Sequence, residues 1–570
     1  MNASLQKALA FVAVSGMCFS QAAFAADGQG SGKTSAKTRH HVARKQDEPA
    51  VTAQDLQQLK SMIQAQQQQI DQLRQQLQQR EQQLGEAQSA AQAAQDKATA
   101  AQNAADEQKP VVSKMQGELA DVKTTVSNTA ATVQETKKQV GDLEHPTTFH
   151  YKGITLTPGG FIAAETMDRS RAENNDVISS FNGIPFNNDP RAHLSEFRYT
   201  SRQSRLSLLA QGKVGGTTMS GYYEVDFLGA APTANENQSS SFNLRQRQLF
   251  AQAALSNGWT FTGGQMWSLM TLNKSGIQNR GEWAPAQIDA QYVVGYDFAR
   301  LAAFRATKTF NNNHTTFGVS LENPATLVGG TVPSGLAGLS TPGTGSLGNG
   351  ANYSTNVAPD VLAKLAFDPG WGHYEIKGVA RFFRDRVIGA SNNHVMGGGI
   401  GFGMILPVKR KKLDFIAQGL AGTGVARYTD SSNVDVVVRP DGSLDTVKSY
   451  SALAGFEAHP NPKLDLYFYG GSEYLGRNYV IDGGKSYGYG SPLVDNTKCN
   501  SEIGFSCGAN FKNLAQGVAG FWYRFHQGPM GTLQYGMQYS YTTKHSWAGV
   551  GGSPVANDNM VFTSFRYVLP

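Results

Sequence analysis

From about residue 149 the side chains alternate apolar and polar, and the breaks between runs follow a rule. In Gly531–Thr542 one parity is Leu533, Tyr535, Met537, Tyr539 and Tyr541; the other is Thr532, Gln534, Gly536, Gln538, Ser540 and Thr542. Gly372–Phe382 sets Tyr374, Ile376, Ala380 and Phe382 against His373, Glu375, Lys377 and Arg381. Met219–Phe227 sets Tyr223, Val225 and Phe227 against Ser220, Tyr222, Glu224 and Asp226. Period two is the signature of a strand with two unlike faces. Short links fall at Lys213–Gly216, Ser256–Gly258, Asn311–His314, Asp368–Gly372, Lys409–Lys412, His459–Pro462 and His526–Gly531. Between them lie long links at 170–197, 229–242, 269–299, 323–358, 385–394, 429–447, 477–514 and 544–557. A soluble sandwich does not require strict alternation of short and long. A barrel in an outer membrane does, with short periplasmic turns, long external loops and an even strand number. The reading is an all-β transmembrane barrel of about 16 antiparallel strands over residues 149–570, both ends on the short-turn side.

The N-terminus supports export. Lys7, the apolar stretch Ala8–Phe19 and Ala23-Phe24-Ala25 form a signal peptide over residues 1–25. Met17 before Cys18 fits a lipoprotein signal poorly. In an exported chain Cys499 and Cys507, eight residues apart, read as a disulfide. A metal site there lacks a nearby His or further Cys. No apolar run reaches the roughly 18 residues of a spanning helix.

Residues 26–50 form a basic linker containing His40 and His41, and residues 51–145 carry a heptad. Position a runs Leu56, Ile63, Ile70, Leu77, Leu84, Ala91, Ala98, Ala105, Val112, Leu119, Val126, Val133 and Val140, apolar at every step. Such a period predicts a coiled coil, broken near Pro110. With both barrel ends on the short-turn side, the rod belongs in the periplasm. The mixed a and d residues do not select an oligomer sharply; a homotrimer is preferred because barrels of this size commonly assemble as trimers.

Parity places Arg205, Arg305, Lys364, Lys377, Arg381 and Arg524 inside the barrel. Arg245 and Arg247 share a parity with Leu249, so their direction is ambiguous; inward is chosen because arginine in lipid is costly. Fixed cations in a lumen attract anions. The alternative is that they pair with Glu224, Asp226, Glu375 and Glu473, leaving a nearly neutral passage. No catalytic constellation is legible, so neither enzyme activity nor a cofactor is expected. Gly397–Gly403 has a nucleotide-loop-like spacing but sits within a strand, and Lys409-Arg410-Lys411-Lys412 is a charged turn.

The stretches TLTPGGFIAAETMDRS, SRQSRLSLLAQG, LRQRQLFAQAAL with WTFTGGQMWSLM, and the final FTSFRYVLP resemble the DcaP-like outer-membrane porins. That resemblance implies a trimeric sixteen-stranded porin with an N-terminal periplasmic coiled coil. It implies passage of small anionic solutes such as dicarboxylates. It also implies an inward-folded constriction loop, here Thr271–Ala299, carrying Lys274, Arg280, Glu282, Trp283, Asp289 and Asp297. Two departures are a rod long for the family and Pro570 where such barrels usually end in an aromatic residue. The expected partners are outer-membrane lipid and lipopolysaccharide, small anions and peptidoglycan, and not nucleic acid. The alternative is a structural anchor whose rod tethers the envelope. A trimeric adhesin would share one barrel between chains, and an efflux duct would interleave helices with strands; neither fits.

Overall fold

The computed structural model describes residues 148–229, 242–310, 314–333, 355–386, 391–502 and 507–570, with Val122, Lys123, Thr125, Val126, Thr129 and Val133. The chain divides into two units, 1–134 and 135–570. In the first, the six described residues are helical, and Thr129 Oγ1 donates to the Thr125 carbonyl at 2.8 Å. The signal peptide, the linker and the rest of the expected coiled coil lie outside the described residues.

The second unit is a closed antiparallel barrel of sixteen strands. They are β1 Ile154–Arg169, β2 Glu196–Thr200 continued by Arg205–Val214, β3 Thr217–Gly229, β4 Asn243–Leu255, β5 Trp259–Trp267, β6 Arg300–Phe310, β7 Thr315–Glu322 and β8 Asp360–Phe367. Then follow β9 His373–Arg386, β10 Asn392–Lys409, β11 Leu413–Thr423, β12 Lys448–Asn461, β13 Leu464–Leu475, β14 Phe511–Gly528, β15 Gly531–Ser546 and β16 Val555–Val568. Each strand pairs with its sequence neighbours. β16 closes the ring on β1, from Phe161↔Val568 to Arg169↔Met560. Closure removes every sheet edge, which hydrocarbon demands because it offers no hydrogen bonds. Both segments of β2 pair with β1, and Ser204 Oγ, in the break between them, accepts from the Ala163 N–H at 3.0 Å. Leu569 still donates to the Gly160 carbonyl at 3.0 Å, so the chain follows β1 past the last strand despite Pro570.

The seven short turns and eight long loops fall where the alternation places them. The two parities also separate as read. Ile376, Met537, Tyr539 and Tyr541 are exposed on the outside, whereas Glu375, Lys377, Gln538, Ser540 and Thr542 are buried inside. Apolar outward residues such as Leu206, Leu249, Phe304, Phe317, Leu365 and Phe402 form the band that faces lipid. Aromatic residues ring its ends: Trp259, Phe310, Trp371 and Phe525 toward the short turns, Tyr199 and Tyr450 toward the long loops. The class is therefore a transmembrane β-barrel of the outer-membrane type.

Candidate functional site: a lumen narrowed by loop 3

The loop between β5 and β6, residues 268–299 and here called loop 3, folds into the barrel. Its backbone is pinned by side chains of the wall in succession. Leu269 N–H donates to Glu322 (2.7 Å), Asn273 N–H to Glu375 (2.9 Å) and Gly276 N–H to Asp368 (2.9 Å). Asn279 Nδ2 then reaches Gln252 and Thr262 on β4 and β5, each at 2.8 Å. The loop returns across β12–β15. Trp283 Nε1 donates to Glu457 (2.9 Å), Ile288 N–H to Gln538 (2.6 Å), Val294 N–H to Gln516 (3.0 Å) and Gly295 N–H to Glu473 (3.0 Å). Gly295 sits at φ +88°, the left-handed region that favours glycine, and this lets the chain turn flat against β12 and β13. Trp283, Ile288, Val293, Val294 and Tyr296 are buried with Tyr467, Tyr469, Leu514 and Trp522 of the wall, and with Val177, Phe181 and Ile184 from the loop after β1. An apolar core thus fills much of the lumen beside β12–β15.

The basic residues read from parity fall into two groups. Four hold loops in place. Lys364 Nζ donates to the Thr271 carbonyl (2.5 Å), Asn273 Oδ1 (2.8 Å) and Glu375 (3.0 Å). Lys377 Nζ donates to the Met270 carbonyl at 2.5 Å. Arg305 donates to Asn279 Oδ1 (2.9 Å) and the Trp267 carbonyl (2.5 Å). Arg381 pairs with Asp360 (3.1 Å) and Asp435 (2.6 Å), and donates to the Gly424 carbonyl (2.6 Å) and to Ala325 O. All four are inside the barrel, yet all are buried beneath loops rather than lining open space. Their expected place in the pore lining is corrected accordingly. Inward parity puts a side chain in the lumen, and only the path of a loop decides whether water reaches it. Arg524 sits lower, beside the short turn, bound to Asp465 and to the Pro462 carbonyl (3.3 Å).

The second group borders the β2–β6 side of loop 3. Arg245 and Arg247 both point inward, and the reason is a bulge. Glu224 pairs with Gln248 and Val225 with Gln246, so Arg247 is an extra residue in β4 and the parity shifts across it. Leu244 and Leu249 consequently stay outside. Arg245 holds Asp226 (2.8 Å); Arg247 bridges Glu224 (2.6 Å) and Asp226 (2.8 Å) and reaches Tyr292 Oη on loop 3 (3.3 Å). Arg205 stacks on Phe161 at 5.2 Å, with Nε unpartnered among the described residues. Arg300 stacks on Trp267 at 4.9 Å, with Nη1 likewise unpartnered. Arg280, at φ +67°, lays its guanidinium over Tyr222 at 4.8 Å and is exposed. Arg205, Arg245 and Arg300 are half-exposed. Five arginines face two carboxylates here, a local excess of three positive charges. Tyr292 responds to that excess. Burial pushes its hydroxyl up, but Arg247, Arg300 and Arg205 outweigh it and bring the pKa down to about 8.

Of the other loop 3 residues singled out, Lys274 is exposed. Glu282 is half-buried, and burial pushes its carboxyl up to about 7. Asp289 does not face a passage: it accepts from Ser179 N–H (3.2 Å), Ser179 Oγ (2.5 Å) and Gln291 N–H (2.9 Å), tying loop 3 to the loop after β1. Above it lies a cavity of about 280 Å³ lined by Asn175, Ser179, Asn182, Gln291 and Ser431. In the loop between β13 and β14, Cys499 and Cys507 are joined as a disulfide. No group of metal ligands occurs among the described residues. Arg300 is the member that parity misses. It shares a parity with lipid-facing Phe304, and only the inward bend of the loop base brings it inside.

No family model and no curated protein sequence matches the chain. Solved structures do match. The outer membrane channel DcaP of Acinetobacter baumannii superposes with a TM-score of 0.53 at 19% identity, over 74% of this chain and 99% of that one. An anion-selective porin from Comamonas acidovorans gives 0.40 at 11% identity over 73% and 100%. OmpF of Salmonella typhi gives 0.38 at 10% over 74% and 100%. The first likeness shows a shared barrel fold and meets the resemblance carried by the sequence motifs; the other two are too loose to bear an argument.

Proposed function

We propose that the protein is a passive outer-membrane porin for small hydrophilic solutes, with a preference for anions of the dicarboxylate type. The observation that carries this reading is the arginine set at Arg205, Arg245, Arg247, Arg280 and Arg300, opposed by only Glu224 and Asp226. Guanidinium groups in a confined passage concentrate anions and bind carboxylates bidentately. Neither covalent chemistry nor a cofactor enters the mechanism: a solute diffuses past loop 3 and exchanges part of its hydration for contacts with arginine. Trimer formation through the coiled coil belongs to the same proposal. It is supported by Asp168, Asn557 and Asn559, polar residues exposed on the outside of adjacent strands β1 and β16, where lipid tails solvate them poorly.

A second reading has its own observation. The apolar core between loop 3 and β12–β15 fills much of the lumen, as in a barrel that serves as an anchor for the rod. Single-channel recording of the purified protein in a planar bilayer separates the two. Stepwise conductance in coupled threes is expected of the trimeric porin. A silent bilayer, with correctly inserted protein, transfers the function to the rod.

A further inference from the structure

We propose that the outer face of β10–β14 seats an acyl chain of an anionic phospholipid from the periplasmic leaflet, with its headgroup on the turn Lys409–Lys412. The turn is the most basic exposed patch of the barrel. Lys409, Arg410, Lys411 and Lys412 are all exposed, as is Lys463 on the turn after next. None of them makes an ion pair among the described residues. The nearest carboxylates are otherwise engaged: Asp465 with Arg524 and His459, Asp368 with His373, and Asp414 facing His459 at 3.9 Å. Arg410 Nη2 donates to the Gly370 carbonyl at 3.1 Å, which holds the patch beside exposed Trp371. A tryptophan next to unpaired cations at the end of a hydrophobic band is the composition of a lipid headgroup site.

Above the turn the wall is thin. Phe402, Ala417, Ala452, Ala454 and Gly470 line an apolar groove of about 510 Å³. A side chain added at Gly470 or at neighbouring Gly517 would meet nothing within 4 Å. Phe456 and Phe468 stand on the lower rim.

The strand register places the groove over the patch. Following paired residues from β11, Leu413 leads to Ala458, Leu466, Phe521 and Met537. Leu413 begins β11, whereas Met537 lies well above Gly531, the first residue of β15. Rows of paired residues therefore climb toward higher strand numbers, so a vertical drawn down from β12–β13 descends toward β10–β11. Ala417, Ala454, Gly470 and Gly517 share one row. It lies four residues above Leu413, about 13 Å along the strand. With a tilt of about 40°, that vertical meets the Lys409–Lys412 turn within the roughly 15 Å depth of one leaflet. An acyl chain whose phosphate rests on the turn thus ends in the groove.

The test counts lipids on the full-length protein by native mass spectrometry after delipidation and titration with phosphatidylglycerol or phosphatidylcholine. One phosphatidylglycerol per protomer is expected, retained at least tenfold more tightly than phosphatidylcholine. Replacing Lys409, Arg410, Lys411 and Lys412 by Gln removes the headgroup preference. Gly470→Leu with Gly517→Leu fills the groove from outside and lowers retention of both lipids, while heat-shifted gel mobility shows an intact barrel. Equal retention of the two lipids by the natural protein overturns the proposal, as does full retention by the groove variant. Binding of soluble peptidoglycan fragments to the delipidated protein, lost when Lys409, Arg410, Lys411 and Lys412 are replaced by Gln and accompanied by no retained lipid, assigns the turn to the cell wall and also overturns it. Lipid counting does not depend on conductance, so this proposal and the porin reading fail separately.

Discussion

Two walls of one lumen carry the same residue type and use it differently. On β6, β8 and β9, Arg305, Lys364, Lys377 and Arg381 are buried and spent on the loops, donating to backbone carbonyls, to Asn279 and to buried carboxylates. Bordering β2–β6, Arg280 is exposed, Arg205, Arg245 and Arg300 are half-exposed, and together they outnumber the acids beside them. A buried pair such as Lys364–Glu375 has no charge to offer a solute. A half-exposed guanidinium over an aromatic ring has. Counting inward arginines therefore overstates the field in the passage. Only those that the loops leave uncovered count.

The largest effect should come from breaking the loop-holding wall. Lys364→Met leaves Glu375 buried beside His373, with Lys377 the nearest remaining cation at 3.8 Å. A cost of about 3–5 kcal/mol is expected for a stranded buried charge. It should appear as a lower unfolding midpoint together with noisier, larger conductance as loop 3 loosens. The double change Lys364→Met with Glu375→Met should recover most of the stability; if it does not, the pair is not what secures the loop.

Next comes the open wall. Arg205→Gln with Arg300→Gln strands no carboxylate, because each side chain keeps a nitrogen unpartnered and neither forms an ion pair among the described residues. Most of the anion preference should disappear, read as a reversal potential moving toward zero, with the unfolding midpoint nearly unchanged. Equal loss of selectivity from Lys364→Met and from this variant would erase the distinction between the walls.

A smaller effect is titration. Tyr292 is neutral below its pKa of about 8 and becomes an anion above it, lowering the local excess from three charges to two. Anion preference should decline as pH rises from 7 to 9, and Tyr292→Phe should flatten that decline. The smallest effect belongs to the external disulfide. Replacing Cys499 and Cys507 by Ser releases a loop constraint of about 2–3 kcal/mol in the chain-entropy estimate, and selectivity should not move. Limited proteolysis of the loop between β13 and β14 would report the change.

Much of the barrel was legible because period two and turn chemistry are local. Strand number, the alternation of turns and loops, and the facing of Tyr539 or Glu375 follow from residues a few places apart. Three site features were not legible, each for a long-range reason. Arg247 lies on a bulge, and nothing in the sequence around it separates Arg245, Arg247 and Leu249 by parity. Arg300 enters the lumen through a bend in loop 3 rather than through strand alternation. The covering of Lys364 and Lys377 depends on contacts with Thr271 and Met270 about a hundred residues away. Charge and direction can be read from a strand; accessibility belongs to the loop that folds over it.

The measurement closest to the central claim is the reversal potential in a KCl gradient, taken for the natural protein and for Arg205→Gln with Arg300→Gln. The account predicts a chloride-favouring potential that moves toward zero in the variant, at unchanged stability. A potassium-favouring potential in the natural protein, or a chloride preference untouched by the variant, would contradict it.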